Sequence, residues 1–228
     1  MINLINLNRL KKDEILWLWN HYCRHGHRYI EHLNCFLEEK PTDMIEERIG
    51  FLDIETTGLN ANWDYIISWA MVDNEGKVYG RVLTKKEVLD WKKLDKKLMK
   101  EFSETIKNFD RVVVYWGKDR RHDLPFLRTR CLKWKVYFPL YREVFVTDMY
   151  DIVKGKLRLH RNRLENVCDF LGIPAKEHRL DPDIWQKAKL GDKKSLKWIW
   201  LHNLEDVISL KAVYERLNEF SASRKVSI

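Results

Sequence analysis

The sequence predicts an α/β fold, a mixed β-sheet flanked by helices, with a small helical N-terminal appendage. Its 228 residues are 45% apolar and 33% charged, which suits a globular domain with a substantial core. Short apolar runs between turn residues predict an antiparallel meander, followed by strands that alternate with helical patterns. The sequence contains no run of 18 apolar residues, the minimum for a membrane-spanning helix, so no membrane association is expected.

We expect three parts: an appendage over residues 1–48, a main domain over 49–220 and a C-terminal tail over 221–228. The N-terminus lacks a basic start followed by an apolar run and a cleavage site, so no secretory signal is expected. The four cysteines are too few for a disulfide scaffold. A reducing, cytoplasmic location is the resulting expectation.

The appendage begins with a predicted helix over 13–19 and then concentrates potential zinc ligands. These are Cys23, His25, His27, His32 and Cys35. Zinc binds cysteine and histidine in sets of four, and either His25 or His27 can complete a set with the other three. The sequence therefore allows one structural Zn²⁺. The alternative is a helical hairpin with exposed histidines and two packed cysteines.

The main domain is predicted to begin with three strands and a long helix. Predicted strands are 50–55, 65–73, 77–84, 111–117 and 143–147. Predicted helices are 86–108, 123–134, 163–171, 181–189 and 193–219. The helix over 86–108 is predicted because its apolar residues are spaced three or four apart.

The first strand, FLDIETTGL, carries two carboxylates. Asp53 and Glu55 alternate with apolar residues, so both side chains project from one face of the strand. Paired carboxylates in an apolar setting repel each other unless a cation lies between them. A divalent metal such as Mg²⁺ fits, since it prefers carboxylate oxygens. A polar strand end entering a turn is the alternative.

Two further polar groups lie later in the chain. Asp123 precedes an apolar helix start, where it is either a helix cap or a ligand, with Asp119 as a nearby alternative. His202 and Asp206 are four apart in the last helix, so they share its core-facing side. A structural His–Asp pair is the alternative there.

We expect Asn203 and Glu205, between His202 and Asp206, to be solvated. Taken together, the three segments supply four carboxylates and one imidazole. Four carboxylates can hold two divalent ions for phosphodiester cleavage, and an imidazole beside them can accept a proton from water.

The net charge of +8 predicts a polyanionic partner, most simply nucleic acid. Basic residues surround Asp123: Lys118, Arg120, Arg121, Arg128 and Arg130. A second basic run contains Lys154, Lys156, Arg158, Arg161 and Arg163. Either group can contact phosphates, and a solvated basic surface is the alternative for each.

The three motifs resemble those of the DnaQ-like (DEDD) 3′–5′ exonuclease superfamily. DIETTG resembles its first motif, HDLPFL its second and HNLEDV its third. The resemblance covers about residues 50–219, and LENVCDFLGIP and the segment after it look most like the YprB-like branch of predicted nucleases. It implies a ribonuclease-H-like fold and a hydrolase that uses two Mg²⁺ or Mn²⁺ ions on a single-stranded 3′ end of DNA or RNA.

The resemblance also implies individual roles. Asp53 would contact both metals, Glu55 and Asp206 would serve the metal that activates water, and Asp123 would serve the second metal. His202 would be the general base, although it stands four residues before the aspartate, the spacing of the superfamily's tyrosine version.

Three residues after the carboxylate pair are expected at the substrate. Thr56 and Thr57 would bond the terminal nucleotide and Leu59 would wedge against its base, with Arg120, Arg121 and Arg128 contacting phosphates. Two other functions stay open. One is a structure-specific endonuclease on the same fold, and the other is a non-catalytic nucleic-acid-binding module.

Overall fold

The computed structural model describes residues 12–39 and 47–220, which fall into two compact units divided between Glu47 and Arg48. The expected tail over 221–228 lies outside the described residues. In the N-terminal unit, α1 (Lys12–Asn20) and α2 (Leu33–Glu39) flank a turn closed by a bridge between Tyr22 and Arg28.

The second unit is built on a five-stranded mixed sheet. Its strands are β1 (Ile49–Thr56), β2 (Ile66–Asp73), β3 (Val78–Val82), β4 (Arg111–Val114) and β5 (Phe145–Asp148). The order across the sheet is β3-β2-β1-β4-β5. β1 and β2 are antiparallel, as are β2 and β3, whereas β4 is parallel to β1 and to β5. This confirms the predicted α/β fold with an antiparallel meander and parallel strands.

Helices cover both faces of this sheet. They are α3 (Lys85–Leu89), α4 (Lys96–Ile106), α5 (Asp123–Trp134), α6 (Met149–Lys156), α7 (Leu164–Leu171), α8 (Pro182–Lys189) and α9 (Lys193–Leu217). One apolar core joins α3, α4, α5 and α8 to the sheet, and the other joins α6 and α7 to its opposite face. α9 contributes to both cores. No helix in the described ranges combines the length and apolar character needed to cross a bilayer.

The single helix predicted over 86–108 was wrong, because a turn over 90–95 separates α3 from α4. Asp95 in this turn is fully buried. Its carboxylate accepts hydrogen bonds from Arg130 at 2.6 and 2.8 Å, from the Trp134 indole at 2.7 Å and from the first amide of β2 at 3.0 Å. These bonds interrupt the helix. They also overturn the expected surface role of Arg130, which is 1% exposed.

The helix α6 was not predicted from the sequence. It starts directly after β5, where Asp148 caps it by accepting a hydrogen bond from the amide of Tyr150. The second basic run begins in the last turn of α6 with Lys154 and Lys156 and continues beyond the helix, and all five of its charged positions are exposed.

Candidate active site

The first two site residues lie on β1, a central strand of the sheet. Side chains alternate along it: Leu52 and Ile54 enter the core on one face, whereas Phe51 enters the core on the other. Asp53 and Glu55 are in phase with Phe51 and therefore face α9. A register shift in the pairing with β2 follows directly after Glu55.

α9 places an imidazole and a third carboxylate opposite this pair. His202 Nε2 lies 3.1 Å from Asp206 Oδ2 and 3.6 Å from Glu55 Oε1. Glu55, His202 and Asp206 each offer a ligand atom within 4.8 Å of the others. The sequence spacing of four puts the histidine and the aspartate one turn apart, as predicted.

The other ring nitrogen of His202 is anchored to backbone. Nδ1 donates to the carbonyl oxygen of His178 at 2.5 Å, so Nε2 is the nitrogen left to face the carboxylates. Glu205 holds His178 in turn: its carboxylate contacts His178 Nδ1 at 2.6 Å and accepts from the His178 amide at 3.1 Å. The expectation that Glu205 is merely solvated was wrong, because it fixes the segment that orients the imidazole.

The expectation that Asn203 is solvated was also wrong. Asn203 has no exposed surface. Its amide nitrogen donates to Asp53 Oδ2 at 2.6 Å, and its oxygen accepts from the Ser68 hydroxyl at 2.9 Å. α9 packs against several strands, so it buries a wider arc than one stripe. Asn203 therefore joins β2, β1 and α9 at the site.

Asp123 reaches the site from the first residue of α5. It does not cap the helix with its side chain, so the cap interpretation was wrong. The preceding loop is organised by Asp148, whose buried carboxylate accepts the amides of Trp116 at 2.8 Å, Gly117 at 3.0 Å and Lys118 at 3.1 Å. The sequence reading missed Asp148, although its position at the end of a strand was visible.

Asp123 is 5% exposed. Among the described residues its Oδ2 has no hydrogen-bond partner. A Cβ at position 117 would lie 2.4 Å from this same oxygen, so glycine there leaves the carboxylate its room. A buried carboxylate oxygen without a partner is costly unless a cation completes it.

The carboxylates perturb one another strongly. Burial raises the pKa of Asp53 well above its usual value, and the charges of Asp206, Asp123 and Glu55 raise it further. Burial and nearby carboxylates likewise raise the pKa of Asp123. Burial is also the main reason that the pKa of Glu55 rises to about 7. Such a cluster favours a bound cation, which would stabilise the ionised forms.

The pKa values of Asp206 and His202 are shifted in the directions that favour an ion pair between them. Burial is the largest single effect and opposes ionisation of both groups, but their mutual hydrogen bond and the opposite charges nearby together outweigh it. As a result the pKa of Asp206 is lowered and that of His202 is raised. The Lys176 ammonium also contacts Asp206 and offsets part of the cluster's negative charge. Lys176 lies in the loop between α7 and α8, and the sequence reading did not single it out.

Most of the residues expected at the substrate have protein partners. Thr56 donates to the carbonyl of Gly58 at 2.7 Å, with its hydroxyl 3.2 Å from His122 Nε2. Thr57 donates to Asp64 at 3.1 Å and accepts from the Tyr65 amide at 3.1 Å, which stabilises the loop after β1. Leu59, in the loop after β1, is 78% exposed.

The arginines near Asp123 differ in their surroundings. Arg121 pairs with the carboxylates of Asp148 and Asp151, and it helps to hold the loop. Arg128 pairs with Asp119 at 2.9 Å, and the Asp119 side chain is mostly exposed, unlike the buried Asp123. Arg120 is exposed, with a positive φ of 67°.

The predicted zinc ligands form a separate group in the N-terminal unit. Ligand atoms of Cys23, His25, His32 and Cys35 all lie within 4.8 Å of one another. His27 is beside this group, with its Nδ1 3.3 Å from that of His32.

Comparison with known proteins agrees with this architecture. The family model described as the RNase_H superfamily matches residues 50–218. Among solved structures, a family B DNA polymerase from the hyperthermophilic archaeon Pyrobaculum calidifontis is similar, with a TM-score of 0.63 and 19% identity. The match covers 77% of this chain and 25% of the polymerase chain, and it shows the shared fold. No curated protein matches the chain significantly.

Proposed function

The chain belongs to the RNase_H superfamily, and on that premise we propose that it is a metal-dependent nuclease that hydrolyses phosphodiester bonds. One observation carries the proposal: three distant segments bring carboxylates and an imidazole to one place. Asp53 and Glu55 come from β1, Asp123 from α5, and His202 and Asp206 from α9. Their mutual electrostatic shifts support their closeness.

The donor set suits two hard divalent cations, Mg²⁺ or Mn²⁺. The four carboxylates would hold them, with the partnerless oxygen of Asp123 completed by one. When bound, such ions supply Lewis acidity at the scissile phosphate and lower the pKa of bound water. Asn203 orients Asp53 through its hydrogen bond, so the geometry of the central carboxylate is set by the protein itself.

The imidazole of His202 is placed to accept a proton. Its Nδ1–H is held on the His178 carbonyl, so its Nε2 presents a lone pair towards the carboxylates when the ring is neutral. Asp206 stabilises the imidazolium that forms after proton transfer, as the raised pKa of His202 indicates. His202 is therefore assigned as general base, and Asp206 combines metal binding with support of this base.

We further propose the 3′–5′ exonuclease mode on single-stranded DNA or RNA, as in the DnaQ-like (DEDD) group and its YprB-like branch. The order of the three motifs supports this, as does the exposed Leu59 in the loop that follows the first motif. The similar DNA polymerase supports nucleic acid as the substrate. The exposed basic run at the end of α6 and beyond it offers a surface for the phosphate backbone.

The test uses single-stranded DNA and RNA labelled at the 5′ end, with Mg²⁺ or Mn²⁺. We expect a ladder of products shortened from the 3′ end, which Asp53→Asn abolishes. Asp123→Asn should also abolish it. The matched control is Asp119→Asn, an exposed aspartate in the same loop. This control should retain the ladder.

A circular single strand separates the alternatives. Cutting of the circle would replace the exonuclease mode with an endonuclease mode on the same site. Tight binding of strands by wild-type protein, with no cleavage under either metal, would refute the enzymatic proposal and leave a binding module. His202→Ala should lower the rate by about 10²–10⁴ if the imidazole is the base, and a loss of only a few-fold would exclude that role.

A further inference from the structure

Four potential metal ligands in the N-terminal unit lie close enough together to hold one ion. They are Cys23, His25, His32 and Cys35, called here the Cys₂His₂ set. The Sγ of Cys23 lies 3.6 Å from His32 Nδ1, and His25 Nδ1 lies 3.0 Å from the Sγ of Cys35. Ordinary Zn–S and Zn–N bond lengths in a tetrahedron place ligand atoms about 3.3–3.8 Å apart. The first of these distances lies in that range, and the second is shorter, so a bound ion would move His25 and Cys35 slightly apart.

The backbone presents these ligands in two pairs. The first pair lies in a turn closed by the bridge between Tyr22 and Arg28. Within it, Cys23 accepts the Gly26 amide at 2.9 Å and donates its own amide to His27 at 2.8 Å. The positive φ of 78° at Gly26 lets the chain reverse there. In this turn the ligand atoms of Cys23 and His25 lie within 4.8 Å of each other.

The second pair comes from the start of α2. The amide of Cys35 donates to the carbonyl of His32 at 3.0 Å, which fixes their relative position in one turn. Glu39 at the end of α2 ties the helix back to the first pair. It accepts from the Arg24 amide at 3.2 Å and from the Tyr29 hydroxyl at 2.7 Å.

The small core around the set gives an independent reason to expect a metal. Its buried apolar residues in the described part of the unit are Leu18, Cys23, Tyr29 and Cys35. Two of the four are thus members of the set itself. Units of about 40 residues rarely bury enough apolar surface to fold alone, and metals commonly make up the difference.

We propose that the Cys₂His₂ set binds one structural Zn²⁺. All four positions are filled by protein side chains, so the site is closed and stabilises the fold of the N-terminal unit without catalysing a reaction. Zinc binding and folding of this unit are then one process. The inference does not depend on the nuclease proposal, because none of the set belongs to the carboxylate site.

The test measures zinc in full-length protein purified without a histidine tag. We expect about one zinc per chain in wild type. Asp53→Asn should keep it, which excludes zinc held by the active-site carboxylates. Cys35→Ser and His25→Ala should each remove most of it. The matched control His27→Ala changes an exposed imidazole in the same turn but outside the set, and it should keep the zinc.

A second measurement covers variants that fail to fold. In native wild type, zinc should protect Cys23 and Cys35 from alkylation, and a chelator should expose both, as mapped by mass spectrometry. The buried Cys131 of the larger unit should stay protected in both states. Less than roughly a tenth of an equivalent of zinc would overturn the proposal, as would a Cys23–Cys35 disulfide in protein prepared under reducing conditions. Loss of zinc in His27→Ala, with retention in His25→Ala, would overturn the assigned ligand set.

Discussion

Asn203→Ala tests whether the orientation of Asp53 is set by the buried amide. In the wild type this amide donates a 2.6 Å hydrogen bond to a carboxylate and accepts one from Ser68. Hydrogen bonds to charged groups contribute about 1.5–3 kcal/mol. If metal binding loses that much free energy, the metal affinity falls about 10–100-fold. Removal of a group that orients a metal ligand typically lowers metal affinity by the same factor.

We therefore expect Asn203→Ala to need about 10–100-fold more Mg²⁺ or Mn²⁺ for half-maximal cleavage. Calorimetric titration with Mn²⁺ gives the same quantity without relying on activity. Urea unfolding of the metal-free protein should show a loss of about 1–3 kcal/mol, because the Ser68 hydroxyl is left buried without its acceptor.

Ser68→Ala is the matched control, since it removes the far end of the chain of hydrogen bonds but keeps the amide beside Asp53. It should lower stability by about 1 kcal/mol and change the metal requirement little. If Asn203→Ala loses stability but its metal requirement stays within about twofold of wild type, the amide only packs the core and the reasoning about orientation is wrong.

Three further predictions concern neighbouring parts of the same unit. Glu205→Ala frees the segment that orients His202, so the cleavage rate should fall about tenfold with an unchanged metal requirement; an altered metal requirement would contradict this. Gly117→Ala should sharply reduce cleavage, because the added Cβ would lie 2.4 Å from the Asp123 carboxylate; wild-type rates would show that the loop adjusts freely. Burial opposes ionisation of Glu87, but hydrogen bonds from its arginine partner and from the helix cap lower its pKa to about 2. Because the folded pKa lies below the unfolded value, this stabilisation is present above about pH 4.5 and is lost as the pH falls towards 2. The free energy of unfolding of Glu87→Gln in urea at pH 6 should therefore be about 1–2 kcal/mol below that of wild type. This difference should disappear in acid, and a difference that does not change with pH would show that packing causes it.

The sequence predicted what local periodicity controls. Alternation along β1 placed Asp53 and Glu55 on one face, and a spacing of four paired His202 with Asp206. The mixed sheet, with an antiparallel meander followed by strands that alternate with helices, was predicted in the same way. These features depend on the repeat of a strand or a helix, which is visible in the sequence.

Contacts between distant segments could not be predicted in the same way. The apolar spacing over 86–108 is that of a helix, but the carboxylate of Asp95 accepts hydrogen bonds from Arg130, 35 residues later, in the turn that divides this stretch. Asn203 was expected in solvent, because only one face of the helix was expected to be buried. Instead its side chain donates a hydrogen bond to Asp53, which is 150 residues earlier in the sequence. A charged or polar residue within a helical pattern has no local signal for such a partner.

The position of α9 has a consequence for how the protein loses function. This helix contacts β1 to β4, contributes to both apolar cores and carries two of the site residues in its middle turns. Backbone amides there should exchange with solvent only when the whole unit opens. Denaturant should then abolish cleavage and sheet structure in the same transition. By contrast, the loop that supplies Lys176 and the His178 carbonyl alternates between exposed and part-buried residues, and side chains of α9 make its hydrogen bonds to that helix. Its amides should therefore exchange much sooner.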